Sequence, residues 1–273
     1  MKFFNDYKRI WILAQFELIR LFLTKRGMIA LAAFATVWFI ILYYLVSSAV
    51  TIVSSDMFQD MAKQLFGVLG LTDLLKWPVS ELAIYWLIAA YLFPSFALFS
   101  ASDQTCSDRT RGTLRFISLR ATRTEIILGR FLGQVFITAI LIAVTIVATV
   151  LMATYRDLSL FDDGILQAAK LFIDLSIIVL PFIAMMTLLN SFLRSSKMAV
   201  VICTLIFGLG PFIIGLLAYK LPIASHLNYI FPGMQITELL GQTEMALVNY
   251  SLPITQSVLF LIIANIIMKR TSL

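Results

Sequence analysis

The stretch "FLGQVFITAILIAVTIVATVLMATY", residues 131–155, runs from Arg130 to Arg156 without a single charged side chain. A helix needs about 20 apolar residues to cross the hydrocarbon of a bilayer, and this run exceeds that length. Its apolar residues are continuous rather than alternating, which excludes a membrane β-barrel strand. It predicts a transmembrane helix. The same test applied outward finds charge-free stretches over residues 27–55, 82–102, 175–193, 198–219 and 245–268. The expected spans of a single transmembrane domain are therefore residues 28–50, 82–102, 129–154, 168–193, 197–219 and 252–268. Composition agrees: 60% of residues are hydrophobic and 13% charged, whereas a soluble domain is nearer half apolar. Pro94, Pro181 and Pro211 fall inside three spans, which a membrane helix tolerates when its neighbours satisfy the freed carbonyls.

Six spans put both termini on one side, and the Lys/Arg distribution says which. Sixteen of the 21 basic residues lie before the first span, between the second and third, between the fourth and fifth, or after the last. Those segments, and so both termini, are expected in the cytoplasm, and the protein in a bacterial inner membrane. The net charge of +6 is thus a property of the inner face, where it meets lipid headgroups, and it calls for no nucleic acid.

Residues 6–26, within "DYKRIWILAQFELIRLFLTKR", lack the short apolar core and cleavage site of a secretory signal. Asp6, Arg9, Glu17, Arg20 and Thr24 recur at helical spacing, with Trp11, Ile12, Phe16 and Ile19 elsewhere around the wheel. This pattern predicts an interfacial helix on the inner leaflet, its charged stripe toward water. On the outer side, "SSDMFQDMAKQLFGVLG" from Ser54 reads as a short surface helix. Residues 221–250 carry apolar stretches too short to cross, and a Pro232-Gly233 break. They predict a re-entrant helix pair before the last span. The fold class is an all-α membrane protein.

A search for chemistry narrows the function. No G-x-x-x-x-G-K-[ST] occurs, so the chain has no phosphate loop for ATP. Cys106 and Cys203 are too far apart for a C-x-x-C redox or zinc motif. His226 is the lone histidine and lacks the partners of a catalyst, while Met57 and Met61 suit packing as well as a soft metal. Asp174 is the one carboxylate well inside a span, one turn from Lys170. It is either half of a snorkelling i,i+4 pair or the proton-coupling group of a secondary transporter.

The segment between the second and third spans, residues 103–126, is the distinctive one. "CSDRTRGTLRFISLRATRTEI", from Cys106, places five arginines around Leu114, Ile117 and Leu119, which give a short helix an apolar side to press on a partner. Its order, Asp108-Arg109-x-x-Gly112-Thr113-Leu114 followed by "FISLRATRTEIILGRFLGQ", resembles the corresponding loop of type 2 ATP-binding cassette (ABC) exporter permeases. That pattern has a proline where Ala121 stands, a lysine where Arg130 stands, and often a second acid where Arg109 stands. The topology over nearly the whole chain resembles that family too.

The resemblance implies a transport subunit that is not itself an enzyme and binds no cofactor. A second copy or a paralogous permease pairs with it, and two copies of a separate cytoplasmic ABC ATPase bind ATP and Mg. Thr110 to Ser118 would form the coupling helix against that ATPase, with Asp108, Arg109, Arg111, Gly112, Thr113, Leu114, Arg115 and Ile117 as its contact set. Gly129 and Gly133, at the inner end of the third span, permit close helix packing.

Overall fold

A computed structural model describes residues 2–57, 77–221, 227–233, 236 and 247–270. Among them every regular element is helical: α1 (Lys2–Phe22), α2 (Lys25–Ile40), α3 (Ala49–Ser54), α4 (Ser80–Ser100), α5 (Cys106–Thr110), α6 (Thr113–Ser118), α7 (Arg123–Arg156), α8 (Phe161–Phe192), α9 (Ser196–Lys220) and α10 (Leu247–Arg270). Six of the helical runs are long and apolar enough to cross a membrane. α4, α8 and α9 continue through Pro94, Pro181 and Pro211.

α8 is the centre, with α4, α7 and α10 packed around it and α1 laid along the first half of α7. The core is apolar and aromatic, with Tyr85, Leu82, Phe93, Leu175 and Met186 wholly buried and the Trp38 ring 5.2 Å from that of Phe93. Hydroxyls inside α7 are satisfied locally: Thr138, Thr145 and Thr149 each donate to the carbonyl four residues back. By contrast α2 and α9 leave most of their surface uncovered within one chain. Phe39, Tyr43 and Tyr44, on α2 and the π-helical turn Ile41–Val46 that continues it, are exposed, while Tyr85 and Trp86 belong to the core. The aromatics of the spans therefore divide into a packed set and an outward-facing set.

Helix boundaries differ from the expected ones where local chemistry starts or stops a helix. α7 begins at Arg123, inside the expected loop, because Thr122 and Glu125 form a reciprocal capping box there. The N-terminal helix ends at Phe22 instead of residue 26. Thr24 then caps a new helix by accepting from the Gly27 N–H at 3.1 Å, so Lys25 and Arg26 open α2. Most of the predicted outer helix after Ser54 and of the re-entrant segment, with Met61 and His226, lies outside the described residues. Gly233 is described and has φ 90, the left-handed conformation a Pro-Gly turn uses.

At the end of the bundle away from the arginine segment, Arg156 closes α7 onto α4 with a two-point bond, its Nε and Nη2 at 2.7 and 3.1 Å from the Glu81 carboxylate. Glu81 is buried while Arg156 is partly exposed. Arg156→Gln removes that partner and is expected to lower stability by roughly 1–2 kcal/mol, read as a downward shift in thermal unfolding in detergent. An unchanged midpoint would mean that water already serves Glu81.

Candidate functional site

The arginine segment folds as two short helices set at a corner. Gly112 has φ 72, a left-handed conformation that ends α5 and starts α6. Space is open around it, so glycine is required by the backbone alone. Thr113 fastens the corner by donating to the Asp108 carboxylate at 3.1 Å. The single helix expected over Thr110 to Ser118 is thus broken at Gly112.

Each side of the corner is tied to a different part of the bundle. α5 caps the end of α8: Arg109 donates to the carbonyls of Ser191 (2.7 Å) and Leu193 (3.3 Å), and Thr110 to that of Arg194 (3.2 Å). Ser191 and the cap residue Leu193 carry terminal carbonyls that a helix leaves without internal partners, and Arg194 follows just beyond the cap. α6 drops Leu114, 1% exposed, into a cluster of Ile126, Ile127, Ala264 and Met268 at the adjoining ends of α7 and α10. Arg123 donates to the Met268 and Lys269 carbonyls, doing for α10 what Arg109 does for α8.

Beneath the corner lies a buried charge network. Arg130, 1% exposed, donates one nitrogen to Glu17 of α1 and another to Asp108 of α5, and its guanidinium sits 5.3 Å from the Phe16 ring. Gln134 supports Glu17 at 3.2 Å and accepts from Ser100 at 2.9 Å, and Arg20 reaches Glu17 at 3.3 Å and the Asp103 carbonyl at 2.9 Å. One guanidinium, itself buried, therefore joins α1, α5 and α7 by charge-assisted bonds. Close approach makes this possible. A Cβ on Gly129 would come within 2.5 Å of Leu13, and one on Gly133 within 2.6 Å of Glu17, so the two glycines let α1 lie flat on α7 within the same chain.

The expected contact set divides accordingly. Arg111, Thr113 and Arg115 are on the surface, whereas Asp108 and Arg109 are largely turned inward. Leu114, expected to press on a partner, is instead core, and Ile117 is packed against the same cluster. The outward apolar side chains of this segment are Phe116 at 73% and Leu119 at 83% exposure. Glu17, placed by its spacing on a water-facing stripe, is buried under α7, while Trp11, Phe16 and Ile19 of α1 face outward. Sequence reasoning missed Glu17, Arg130 and Gln134 as a unit. The signal was available: Gly129, Arg130, Gly133 and Gln134 occupy one side of α7, so glycines that draw a helix close draw it onto a charge.

Asp174 is not gathered into this network. It accepts a hydrogen bond from the Tyr250 hydroxyl at 2.6 Å, linking α8 to α10. Among the described residues no three His, Cys, Asp or Glu converge as a metal would need.

The family described as ABC-2 family transporter protein matches residues 11–270. The chain belongs to that family. As an ABC-2 transporter protein it is an integral membrane component of an ABC transporter, a transport subunit rather than a catalytic one. An ABC ATPase is the partner that ABC-2 membership implies. No curated protein matches the chain closely enough to count as a relative. Membership displaces proton-coupled secondary transport through Asp174, for which a single hydrogen-bonded carboxylate is the sole support.

Proposed function

We propose that the chain is the permease of an ATP-driven exporter in a bacterial inner membrane. It pairs with a second copy or a paralogous permease, and each receives force from a cytoplasmic ABC ATPase through α5 and α6. One observation carries this reading: Phe116 and Leu119 project outward from a corner whose other sides are bonded to α1, α7, α8 and α10. A surface apolar pair on a loose loop would absorb a push. On this corner a push moves four helices together. Arg115 and Arg120, which flank the pair in the chain and are exposed, supply charge for an acidic rim on the ATPase. The uncovered apolar faces of α2 and α9 support pairing of two permeases, with the translocation path between them.

Two measurements test the proposal. In proteoliposomes the lone chain is expected to release no phosphate above a mock preparation, and to show ATP turnover only with its ATPase. Turnover by the lone chain would overturn the division of labour. For orientation, Cys106 is a poor reporter because it is 1% exposed, so the test places cysteines at Arg115 and Ser159, both exposed. In a Cys106→Ala, Cys203→Ala background, an impermeant thiol reagent is expected to label position 159 in sealed cells and position 115 only after lysis. The opposite pattern would put α6 out of reach of ATP.

A further inference from the structure

A cavity of about 540 Å³ opens where α1 bends into α2, walled also by the last turn of α4, by α5 and by α7. Four cations line it: Arg20, Lys25, Arg26 and Arg111. Its two carboxylates are already engaged. Glu17 is held by Arg130, Arg20 and Gln134, and both oxygens of Asp103 accept at 2.9 Å from the Ser107 amide and hydroxyl. Among the described residues, Lys25, Arg26 and Arg111 have no carboxylate within ion-pair distance. The cavity is therefore positive and its outer cations are unspent.

Its depth is set by the neighbouring apolar surface. Leu23 at 75% exposure precedes the cavity residues of α2, and Met28 at 55% and Ile29 at 70% follow them, so uncovered hydrocarbon-seeking side chains begin within one turn of the mouth. Lysines and arginines at that level sit where phosphates of the leaflet sit. The wall also includes Leu21 and Ile137, apolar surface suited to the first carbons of an acyl chain. The volume is that of a small-molecule site, larger than a bare ion requires.

We propose that this cavity binds a phosphoryl anion, as carried by the headgroup of an acidic phospholipid of the same leaflet. Arg20 and Arg111 present forked donors to its oxygens, and Lys25 and Arg26 close over the charge at the mouth. A headgroup so held would tie α1, α2 and the α5–α6 corner to the bilayer itself.

The test offers the purified full-length chain phosphatidylglycerol and phosphatidylcholine together in mixed micelles and counts retained lipids by native mass spectrometry. Phosphatidylglycerol is expected to be preferred. The triple variant Lys25→Gln, Arg26→Gln, Arg111→Gln is expected to reduce its retention at least about tenfold. A control triple that removes the same charge elsewhere, Arg120→Gln, Arg194→Gln, Lys197→Gln, is expected to keep it, and Arg26→Gln alone to fall between. A separate arm adds millimolar inorganic phosphate or glycerol phosphate. Retention of lipid against these identifies the headgroup as the ligand, and displacement by them identifies a soluble phosphoryl compound at the same site. Equal losses in both triples, or no preference for phosphatidylglycerol in the unaltered chain, would overturn the proposal.

Discussion

Arg130→Met is expected to cost up to about 3–5 kcal/mol of stability, because it takes from the buried Glu17 carboxylate its nearer cation, leaving only Arg20 at 3.3 Å, while nearly preserving the side-chain volume. The effect should exceed that of any single arginine in the α5–α6 segment, since Arg130 is 1% exposed and holds two carboxylates at once. Arg130→Lys keeps the charge but offers a single nitrogen where the guanidinium offers two. It is expected to fold, to lie between the unaltered chain and Arg130→Met in thermal midpoint, and to loosen α1 from α5. Adding Glu17→Gln to Arg130→Met is expected to recover part of the loss, because the buried charge that lost its nearer partner is then gone. Unfolding followed by intrinsic fluorescence in detergent reads all four proteins. If Arg130→Met unfolds at the midpoint of the unaltered chain, the network contributes nothing and α1 is held by packing alone.

Much of this architecture was legible from charge alone. Hydrocarbon expels ions so strongly that the distance between Arg130 and Arg156 announces a span, and the same rule gave all six. The positions that misled are those where an ion or an apolar group does the opposite of its usual behaviour for a reason located elsewhere in the chain. Glu17 goes inside because Arg130, 113 residues away, meets it there, and no pattern within α1 encodes that. Leu114, Phe116, Ile117 and the C-cap residue Leu119 lie all around a helix of six residues, so periodicity cannot choose a buried face. The choice is made by the left-handed turn at Gly112, which aims Leu114 at the ends of α7 and α10. The resemblance to ABC exporter permeases drew attention to the segment but said nothing of which of its side chains face inward.

That orientation supplies the sharpest test of function. Phe116→Glu with Leu119→Glu is expected to abolish capture of the ATPase and to lower ATP-driven transport at least about a hundredfold. Truncating a central aromatic or aliphatic anchor typically costs 2 kcal/mol or more, and each 1.4 kcal/mol is a factor of ten. Thermal stability should stay within a degree or two, because both side chains are mostly in solvent already, at 73% and 83% exposure. Leu114→Glu makes the contrasting case. It forces a carboxylate into the apolar cluster of Ile126, Ile127, Ala264 and Met268, and so should unfold the corner before any docking is measured. Asp174→Asn, which keeps an acceptor for the Tyr250 hydroxyl, is expected to change neither capture nor transport appreciably. Capture and transport are measured on the same membrane preparation, with chain abundance fixed by immunoblot. Undiminished capture by the Phe116, Leu119 double variant would remove α6 as the docking element, and loss of transport in Asp174→Asn with intact capture would restore a role for that carboxylate.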